Sequence, residues 1–352
     1  MKTSYAPDRI LVICPNWIGD AVMSTPALQA VREGFPNAHI ALLSKPRISE
    51  LLDGLPFFDE VIEMRGEKSL RGLVRLARSL RTTESDLGLI LTHSFRSALL
   101  ARLAGIKRRV GYRGQCRALL LTDGLQFPRE GRRKRPRHMV EEYLDIAGQL
   151  GCKVNDRSVK LAVDPEAAAS AKELLAPPAE EGNRPFVAIA PGASFGPSKL
   201  WYPDRWAAVA DAIADRFGAS IAILTAPSEH ELHEQIVSSM SARPVPLSDI
   251  PLPLALLKGV VSQLDLLLCT DSGARHVAVA LGVPTVVVMG PTDPRYSAGR
   301  TETGVVMRED VDCSPCHEKV CPTDHRCMKL VTPEKVLEAA SRLLEARGAR
   351  SC

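Results

Sequence analysis

Asp20 directly follows a glycine in the stretch CPNWIGDAVMSTPAL, between an apolar run typical of a strand and a pattern typical of a helix. In open parallel sheets, ligands bind at the carboxyl ends of the strands, and a carboxylate placed there can act as a general base. Aspartate is also one of the residues preferred at a helix N-cap. The residues alone therefore leave Asp20 as either a base or a cap.

The stretch LLLCTDSGARH has the residues best suited to bind an anion. Asp271 or Ser272 can cap the helix that follows the apolar run, and Gly273 lets the first turn of that helix approach a ligand closely. Free N–H groups and the helix dipole favour a phosphate at such a position. His276, one turn further along, is either part of the same site or a core histidine.

Two further loops carry charged residues that suit a nucleotide. In APGASFGPSKLWY, a small-residue loop containing Ser194 leads to Lys199, which either neutralises phosphate or is simply an exposed lysine. Glu229 follows the run SIAILTAP and either accepts hydrogen bonds from ribose hydroxyls or is a first-turn acid favoured by the helix dipole. No G-x-G-x-x-G follows a strand, so a nicotinamide dehydrogenase is not expected.

Four of the nine cysteines form the array CSPCHEKVCPTDHRC. The first pair has the spacing of zinc ligands, whereas the rest is more compact than the usual zinc fingers. The array predicts either a structural zinc or a loop of small buried thiols. Its cysteines are Cys313, Cys316, Cys321 and Cys327.

The formal net charge of +4 hides a strongly basic segment. Residues 107–137 contain eleven Lys and Arg against two acids, so this segment alone carries +9. Such a run is either a solvated loop or a patch for nucleic acid or a membrane surface. The sequence has no secretory signal pattern and no membrane-spanning apolar run, so we expect a cytoplasmic protein whose cysteines are not in disulfides.

The elements that must position these residues alternate between apolar runs and helical patterns, which predicts parallel sheets. With 352 residues, the chain is long enough for two domains. The fold class is therefore α/β, with two Rossmann-like doubly wound domains facing a central cleft. We predict a first domain over residues 1–178, a Pro-rich linker, a second domain over 185–331, and a C-terminal helix over 332–352 that packs back on the first domain.

The stretches NWIGDAVMSTPAL, SFRSALLARLAGIKRRVGYRG, PGASFGPSKLWY and TDSGARHVAVALGVPTVVVMGPTDP together resemble the lipopolysaccharide heptosyltransferases of glycosyltransferase family 9, and heptosyltransferase II in particular. The resemblance covers nearly the whole chain and implies a GT-B fold. It also implies an acceptor-binding first domain and a second domain that binds ADP-L-glycero-D-manno-heptose. The implied activity is inverting transfer of that heptose to the heptosyl-Kdo-lipid A inner core.

The resemblance assigns roles to individual residues. Asp20 matches the family's catalytic base and Lys199 the lysine on the donor diphosphate, so no cofactor is required. The remaining donor-binding residues implied are Ser194, Glu229, Asp271, Ser272, Gly273 and His276. The four-cysteine array occurs only in some branches of the family, and a structural zinc there stays a separate expectation.

The anionic acceptor implied by the resemblance gives the basic segment a role. Arg132, Arg133, Lys134 and Arg135 are expected to bind the lipid A-core acceptor, and the protein to lie peripherally on the inner face of the inner membrane. Nucleic acid is not expected as a partner. Two alternatives are open: another nucleotide-sugar transferase or epimerase on the same scaffold, or a basic nucleic-acid-binding zinc protein.

Overall fold

A computed structural model of the protein describes residues 6–65, 69–131, 133–175, 184–247, 252–299 and 303–348, with the side chains of residues 133 and 348 left out. The chain divides into two compact units, Met1–Ala162 and Val163–Cys352. Each unit is built on its own parallel sheet, as the alternation of apolar runs and helices predicts. Both Rossmann-like sheets are therefore confirmed.

The first unit has a six-stranded parallel sheet in the order β3-β2-β1-β4-β5-β6. Apolar runs such as RILVI form its central strands, which are almost fully buried because helices cover both faces. The strands are β1 (Arg9–Ile13), β2 (His39–Ser44), β3 (Glu60–Glu63), β4 (Leu87–Ile90), β5 (Arg108–Tyr112) and β6 (Asp123–Leu125). A separate hairpin pairs β7 (Arg129–Glu130) with β8 (Arg133–Lys134). The helices are α1 (Ile18–Met23), α2 (Thr25–Gly34), α3 (Pro46–Leu52), α4 (Leu70–Leu80), α5 (Phe95–Leu103) and α6 (Met139–Gln149).

The second unit has a five-stranded parallel sheet in the order β10-β9-β11-β12-β13. Its strands are β9 (Phe186–Ala190), β10 (Ser220–Ile223), β11 (Leu266–Thr270), β12 (Thr285–Val288) and β13 (Gly304–Met307). The helices are α7 (Pro165–Leu174), α8 (Pro203–Phe217), α9 (His230–Ser239), α10 (Leu254–Ser262), α11 (Gly273–Ala280), α12 (Arg326–Lys329) and α13 (Pro333–Gly348). Among the described residues, none of the helices combines the length and the apolar character needed to cross a bilayer.

The boundary between the units lies between Ala162 and Val163, earlier than the predicted linker between 178 and 185. Helix α7, which the prediction gave to the first domain, packs instead against α10. Gly259 in α10 allows this close approach, because a Cβ there would lie 2.5 Å from the carbonyl oxygen of Ala167. Residues 176–183 of the predicted linker lie outside the described residues.

The C-terminal helix α13 begins at Pro333, where the prediction places its first residue. Its buried residues Val336, Ala339, Ala340 and Leu344 belong to the same hydrophobic core as Trp206 of α8 and the strands of the second sheet. It therefore completes the core of the second unit, and its packing on the first domain stays a prediction. An apolar stripe on a terminal helix predicts that the helix is buried, but not against which sheet.

Candidate functional site

The predicted anion-binding residues of the second unit come together at the carboxyl edge of its sheet. Strands β9 and β11 are neighbours although they are not consecutive in the chain, so this is where the strand order reverses. Ligands of doubly wound sheets bind at such a switch point. Lys199 follows β9, in a 3-10 turn over Pro197–Lys199, and Asp271 follows β11 directly.

The side chains of Lys199 and Asp271 form a nearly buried ion pair. The Lys199 Nζ lies 2.6 Å from Oδ2 of Asp271 and donates a second hydrogen bond to the Asp271 carbonyl oxygen at 2.9 Å. Thr292, in the loop after β12, donates from its hydroxyl to the same Oδ2 at 2.7 Å. The other oxygen, Oδ1, accepts from Arg275 Nη1 at 3.1 Å.

This cluster keeps Asp271 ionised. Burial by itself would raise the pKa of Asp271, but the charges of Lys199 and Arg275, with the hydrogen bonds from Lys199 and Thr292, hold the pKa well below its ordinary value. Two cations thus surround one carboxylate, which leaves a local excess of positive charge. An anionic ligand is the partner that such an excess favours.

Helix α11 begins beside the ion pair. Ser272 occupies its N-cap position with an extended backbone, and the Ser272 side chain makes no capping hydrogen bond. The backbone N–H groups of the first turn, starting at Gly273, therefore lack a partner from the cap and lie at the positive end of the helix dipole. His276, one turn along, is buried. The helix start and the Lys199 loop bring two phosphate-binding features to one edge of the sheet.

Glu229 lies at the same edge, after β10. Its carboxylate accepts a hydrogen bond from the backbone N–H of Ala226 at 2.9 Å and lies directly against Gly192, in the loop that leads to Lys199. A Cβ at position 192 would lie 2.0 Å from Oε1 of Glu229, so a larger residue there would displace the Glu229 carboxylate. Ser194, in the same loop, is exposed.

A cavity of about 380 Å³ opens beside Asp271. Most of its lining residues come from the loop after β12. The residues that line it are Asp271, Thr292, Asp293, Tyr296, Ser297 and His317.

Sequence reasoning missed two residues of this site, Arg275 and Thr292. Arg275 is fully buried and also donates from Nη2 to the carbonyl oxygen of Ser297 at 3.1 Å. The signal for Arg275 was its position four residues after Asp271, since side chains at i and i+4 of a helix are neighbours. Thr292 had a weaker signal, its place directly after the buried run TVVVMGP.

In the first unit, Asp20 is not an N-cap. Trp17 holds the cap position of α1 with an extended backbone, and Asp20 lies in the first helical turn. Its side chain is half-buried, close to Tyr143. Burial, and then the charge of Asp20, raise the pKa of the Tyr143 hydroxyl. The cap interpretation is therefore wrong.

The basic segment is largely folded rather than a solvated loop. It contains β5, β6 and the β7–β8 hairpin. Arg117 is fully buried and donates to backbone carbonyl groups, including that of Tyr112 at 2.7 Å. Arg108 pairs with Asp123, and Arg137 with Asp145. Much of the +9 charge therefore serves the fold.

The four predicted acceptor-binding residues have different environments. The Lys134 Nζ lies 2.6 Å from Oε1 of Glu142, whose side chain is completely buried, and 4.0 Å from the centre of the Phe127 ring. The charge of Lys134 therefore neutralises a buried acid, and its role towards an acceptor stays a prediction. Arg135 is exposed. Arg132 and the side chain of Arg133 lie outside the described residues.

The four cysteines of the array have different environments, and a structural zinc there stays a prediction. Within the described ranges, no three His, Cys, Asp or Glu side chains come together in an arrangement that could hold a metal ion. Cys313 and Cys316 are exposed, whereas Cys327 is buried in the hydrophobic core of the second unit. Burial, and then the charges of Cys313, Cys316 and Cys321, raise the pKa of the Cys327 thiol, so the four thiols interact although they differ in exposure.

Comparisons with known proteins agree with this arrangement. The pattern of glycosyltransferase family 9 (heptosyltransferase) matches residues 73–326. The chain is 30% identical to lipooligosaccharide heptosyltransferase 2 of Haemophilus influenzae, over 96% of this chain and 99% of the relative. It is 28% identical to lipopolysaccharide heptosyltransferase 2 of Escherichia coli, over 96% of this chain and 98% of that relative.

Solved structures show the same fold. The ADP-heptose LPS heptosyltransferase II of E. coli superposes with a TM-score of 0.80 at 26% identity, over 97% of this chain and 99% of that one. A glycosyl transferase family 9 protein from Veillonella parvula superposes with a TM-score of 0.83 at 23% identity, over 98% of this chain and 99% of that one. The chain therefore has a GT-B fold, belongs to glycosyltransferase family 9, the heptosyltransferases, and is a glycosyltransferase.

Proposed function

We propose that the protein transfers L-glycero-D-manno-heptose from its ADP derivative to the heptosyl-Kdo-lipid A inner core of lipopolysaccharide, with inversion at the anomeric carbon. The observation that carries this proposal is the cluster of Lys199, Asp271 and Arg275 at the switch point of the second sheet. Full-length similarity to heptosyltransferase 2 proteins supports this choice of donor and acceptor.

The second unit binds the donor in this proposal. An ammonium group has three N–H donors, and two of those of Lys199 are directed at Asp271, so the third can contact a phosphate oxygen. The N–H groups at the start of α11 bind the same diphosphate. Glu229, against Gly192, is placed to accept hydrogen bonds from the ribose hydroxyls. Ser194, Ser272 and His276 are assigned to the same donor site.

The reaction is a single displacement. The acceptor hydroxyl attacks the anomeric carbon of the heptose while the bond from that carbon to the diphosphate oxygen breaks on the opposite face. Asp20 accepts the hydroxyl proton, a role that typically contributes about 10²–10⁴-fold to the rate. Lys199 and the start of α11 stabilise the negative charge that develops on departing ADP. These groups supply the charge stabilisation from the protein itself, so no cofactor enters the proposal.

The first unit binds the acceptor. Lipid A phosphates and Kdo carboxylates are anionic, and the exposed Arg135 next to Arg132 and Arg133 is suited to attract them. A cationic hairpin contributes about 1 kcal/mol per residue to attraction to an anionic membrane surface. We therefore place the protein in the cytoplasm, peripherally on the inner face of the inner membrane.

The test is an assay of ADP release with ADP-heptose and two acceptors, Kdo-lipid A that carries one heptose and Kdo-lipid A that carries none. We expect ADP release, and a product heavier by one heptose, with the mono-heptosylated acceptor. The product should carry the new heptose with inverted anomeric configuration. Transfer only to the heptose-free acceptor would assign the protein to an earlier step, and transfer only from a different nucleotide sugar would contradict the proposed donor.

A further inference from the structure

The segment 308–325, here called the cysteine loop, contacts the loop that carries Lys199. Ser198, next to Lys199, is almost completely buried. Its backbone N–H donates to the carbonyl oxygen of Lys319 at 3.1 Å, and its hydroxyl donates to the carbonyl oxygen of Glu318 at 2.6 Å. His325 Nε2 donates to the carbonyl oxygen of Ser198 at 2.7 Å. Three hydrogen bonds thus fix the residue before Lys199 to the cysteine loop.

The approach of the two loops is close because position 196 is a glycine. A Cβ on Gly196 would lie 2.5 Å from the carbonyl oxygen of Lys319, and its φ of +157° is one that other residues rarely adopt. The close contact between the two loops therefore depends on the sequence of the loop that carries Lys199 as well as on the cysteine loop.

The cysteine loop also contacts the segment that carries Thr292. The backbone N–H groups of Cys316 and His317 both donate to the carbonyl oxygen of Pro291, at 3.1 and 2.9 Å. The Ser314 hydroxyl donates to the carbonyl oxygen of Gly290 at 2.6 Å. Arg308 Nη1 donates to the carbonyl oxygen of Thr292 itself at 3.1 Å.

Lys199 and Thr292 both donate to Oδ2 of Asp271, and the cysteine loop is hydrogen-bonded to the chain next to each of them. We propose that the cysteine loop is a positioning element of the donor site, which fixes the Lys199 and Thr292 loops on Asp271, with His325 as the positioning residue for Lys199. This inference rests on the proposed function in one respect, that the anion bound by Lys199 is a nucleoside diphosphate.

The cysteine loop reaches the ligand-binding surface itself. His317 lines the cavity beside Asp271, together with Tyr296, whose ring centre lies 6.0 Å from that of His317. A segment that served only to cover the hydrophobic core would not need this residue. Helix α12 contributes the buried Cys327 and Met328 to the core, whereas the cysteine loop contributes the partly buried Val311.

A matched pair of substitutions tests the positioning role. Glutamine and methionine have nearly the same shape, but only His325→Gln retains an N–H that can donate to the Ser198 carbonyl oxygen. We expect His325→Met to weaken ADP binding, and to raise the KM for the sugar donor, by roughly fivefold to tenfold. His325→Gln should restore most of the affinity. The melting temperatures of the two variants and their KM for the acceptor should be equal.

A second pair of substitutions tests the contact between the cysteine loop and the segment that carries Thr292. Ser314→Ala removes the hydroxyl that donates to Gly290, whereas Ser314→Thr retains it, so only Ser314→Ala should weaken ADP binding.

Unchanged ADP affinity in both His325→Met and Ser314→Ala would overturn the inference. So would a loss of affinity that runs parallel to a loss of melting temperature and is the same for His325→Gln as for His325→Met, because that result indicates a purely structural role. Wild-type protein that does not bind ADP at all would instead overturn the proposed function on which the inference rests.

Discussion

At the scale of single residues, the structure excludes one of the two roles predicted for Asp20, that of a helix N-cap. Trp17 holds the cap of α1, so the Asp20 carboxylate is not required at the helix end. Asp20→Asn should lower turnover by about 10²-fold or more, because an amide cannot accept the hydroxyl proton. The melting temperature and the affinity for ADP should stay at wild-type values, and exposed Glu33→Gln in α2 is the control. Turnover above roughly a tenth of wild type would mean that proton abstraction here contributes less than about 1.4 kcal/mol.

A substitution of Lys199 tests the donor site. Lys199→Met should weaken ADP binding by about 10-fold to 100-fold, since hydrogen bonds to charged groups contribute about 1.5–3 kcal/mol. Titration calorimetry measures this loss directly. Lys172→Met, which removes an exposed lysine of α7 in the same unit, is the matched control and should bind ADP normally. Equal affinity in the two variants would remove Lys199 from the site.

His93 gives a prediction about pH. Burial, and then the charges of Lys134 and Arg117, lower its pKa from the ordinary 6.5 to about 4. Glu142, Tyr112 and Phe127 also face the ring. The unfolded chain therefore binds the extra proton first, so this histidine stabilises the fold above pH 6.5 and loses that contribution as pH falls towards 4.

Denaturant unfolding at a series of pH values isolates this contribution. Between pH 6.5 and 4, the free energy of unfolding should fall less steeply for His93→Gln than for wild type. Burial raises the pKa of neighbouring Glu142, so protonation of Glu142 stabilises the fold as pH falls, opposite to the effect of His93. The informative quantity is therefore the difference in the free energy of unfolding between wild type and His93→Gln at each pH. A His93→Gln curve that coincides with the wild-type curve would show that the half-buried ring makes no such contribution.

At the scale of elements, the sequence predicted the strands that are buried and missed some of those that are not. Runs such as RILVI and LLLCT identify central strands because both faces of a parallel sheet are covered. Strands β7 and β13 have exposed or half-buried residues and gave no such signal. The start of α11 was predicted from the acid, serine and glycine that follow a buried run, and lies where the prediction placed it.

The contacts that these elements make were harder to predict. Helix α7 and helix α13 were both assigned to the first domain, and both pack on the second. An amphipathic pattern shows that a helix has a buried face, but two sheets of similar composition offer that face equivalent surfaces. The partner is then decided by local fit, such as the glycine of α10 against which α7 packs.

The β7–β8 hairpin gives a prediction in which two adjacent cations behave differently. Lys134→Gln should lower the free energy of unfolding by about 3–5 kcal/mol, because it leaves the fully buried carboxylate of Glu142 without its partner. Arg135→Gln should leave stability within about 0.5 kcal/mol of wild type and raise the KM for the acceptor, most strongly at low salt. Similar effects of the two substitutions on stability would contradict this division of roles.

At the scale of the whole molecule, the donor site joins residues that are far apart in the chain. Lys199 and Asp271 are separated by 72 positions, and His325 and Ser198 by 127. Motifs in the sequence identified Lys199 and Asp271, because each follows a buried strand, but not Arg275, Thr292 or His325. Their pairing required the order of the strands in the sheet, which the local sequence does not encode.

All of the residues assigned to the donor lie in the second unit, which leads to a prediction about the whole chain. ADP should slow amide hydrogen exchange in residues 191–200, 271–276 and 290–292 and in the cysteine loop, because opening any of these segments would break the site to which ADP is bound. Exchange in the sheet of the first unit should be unchanged. Lys199→Met, at the same ADP concentration, should lose most of this protection, which separates binding at the site from a general effect of the nucleotide. Protection that appeared equally in β1 and α1 would show that ADP also stabilises the first unit, and the assignment of the donor to the second unit alone would then be wrong.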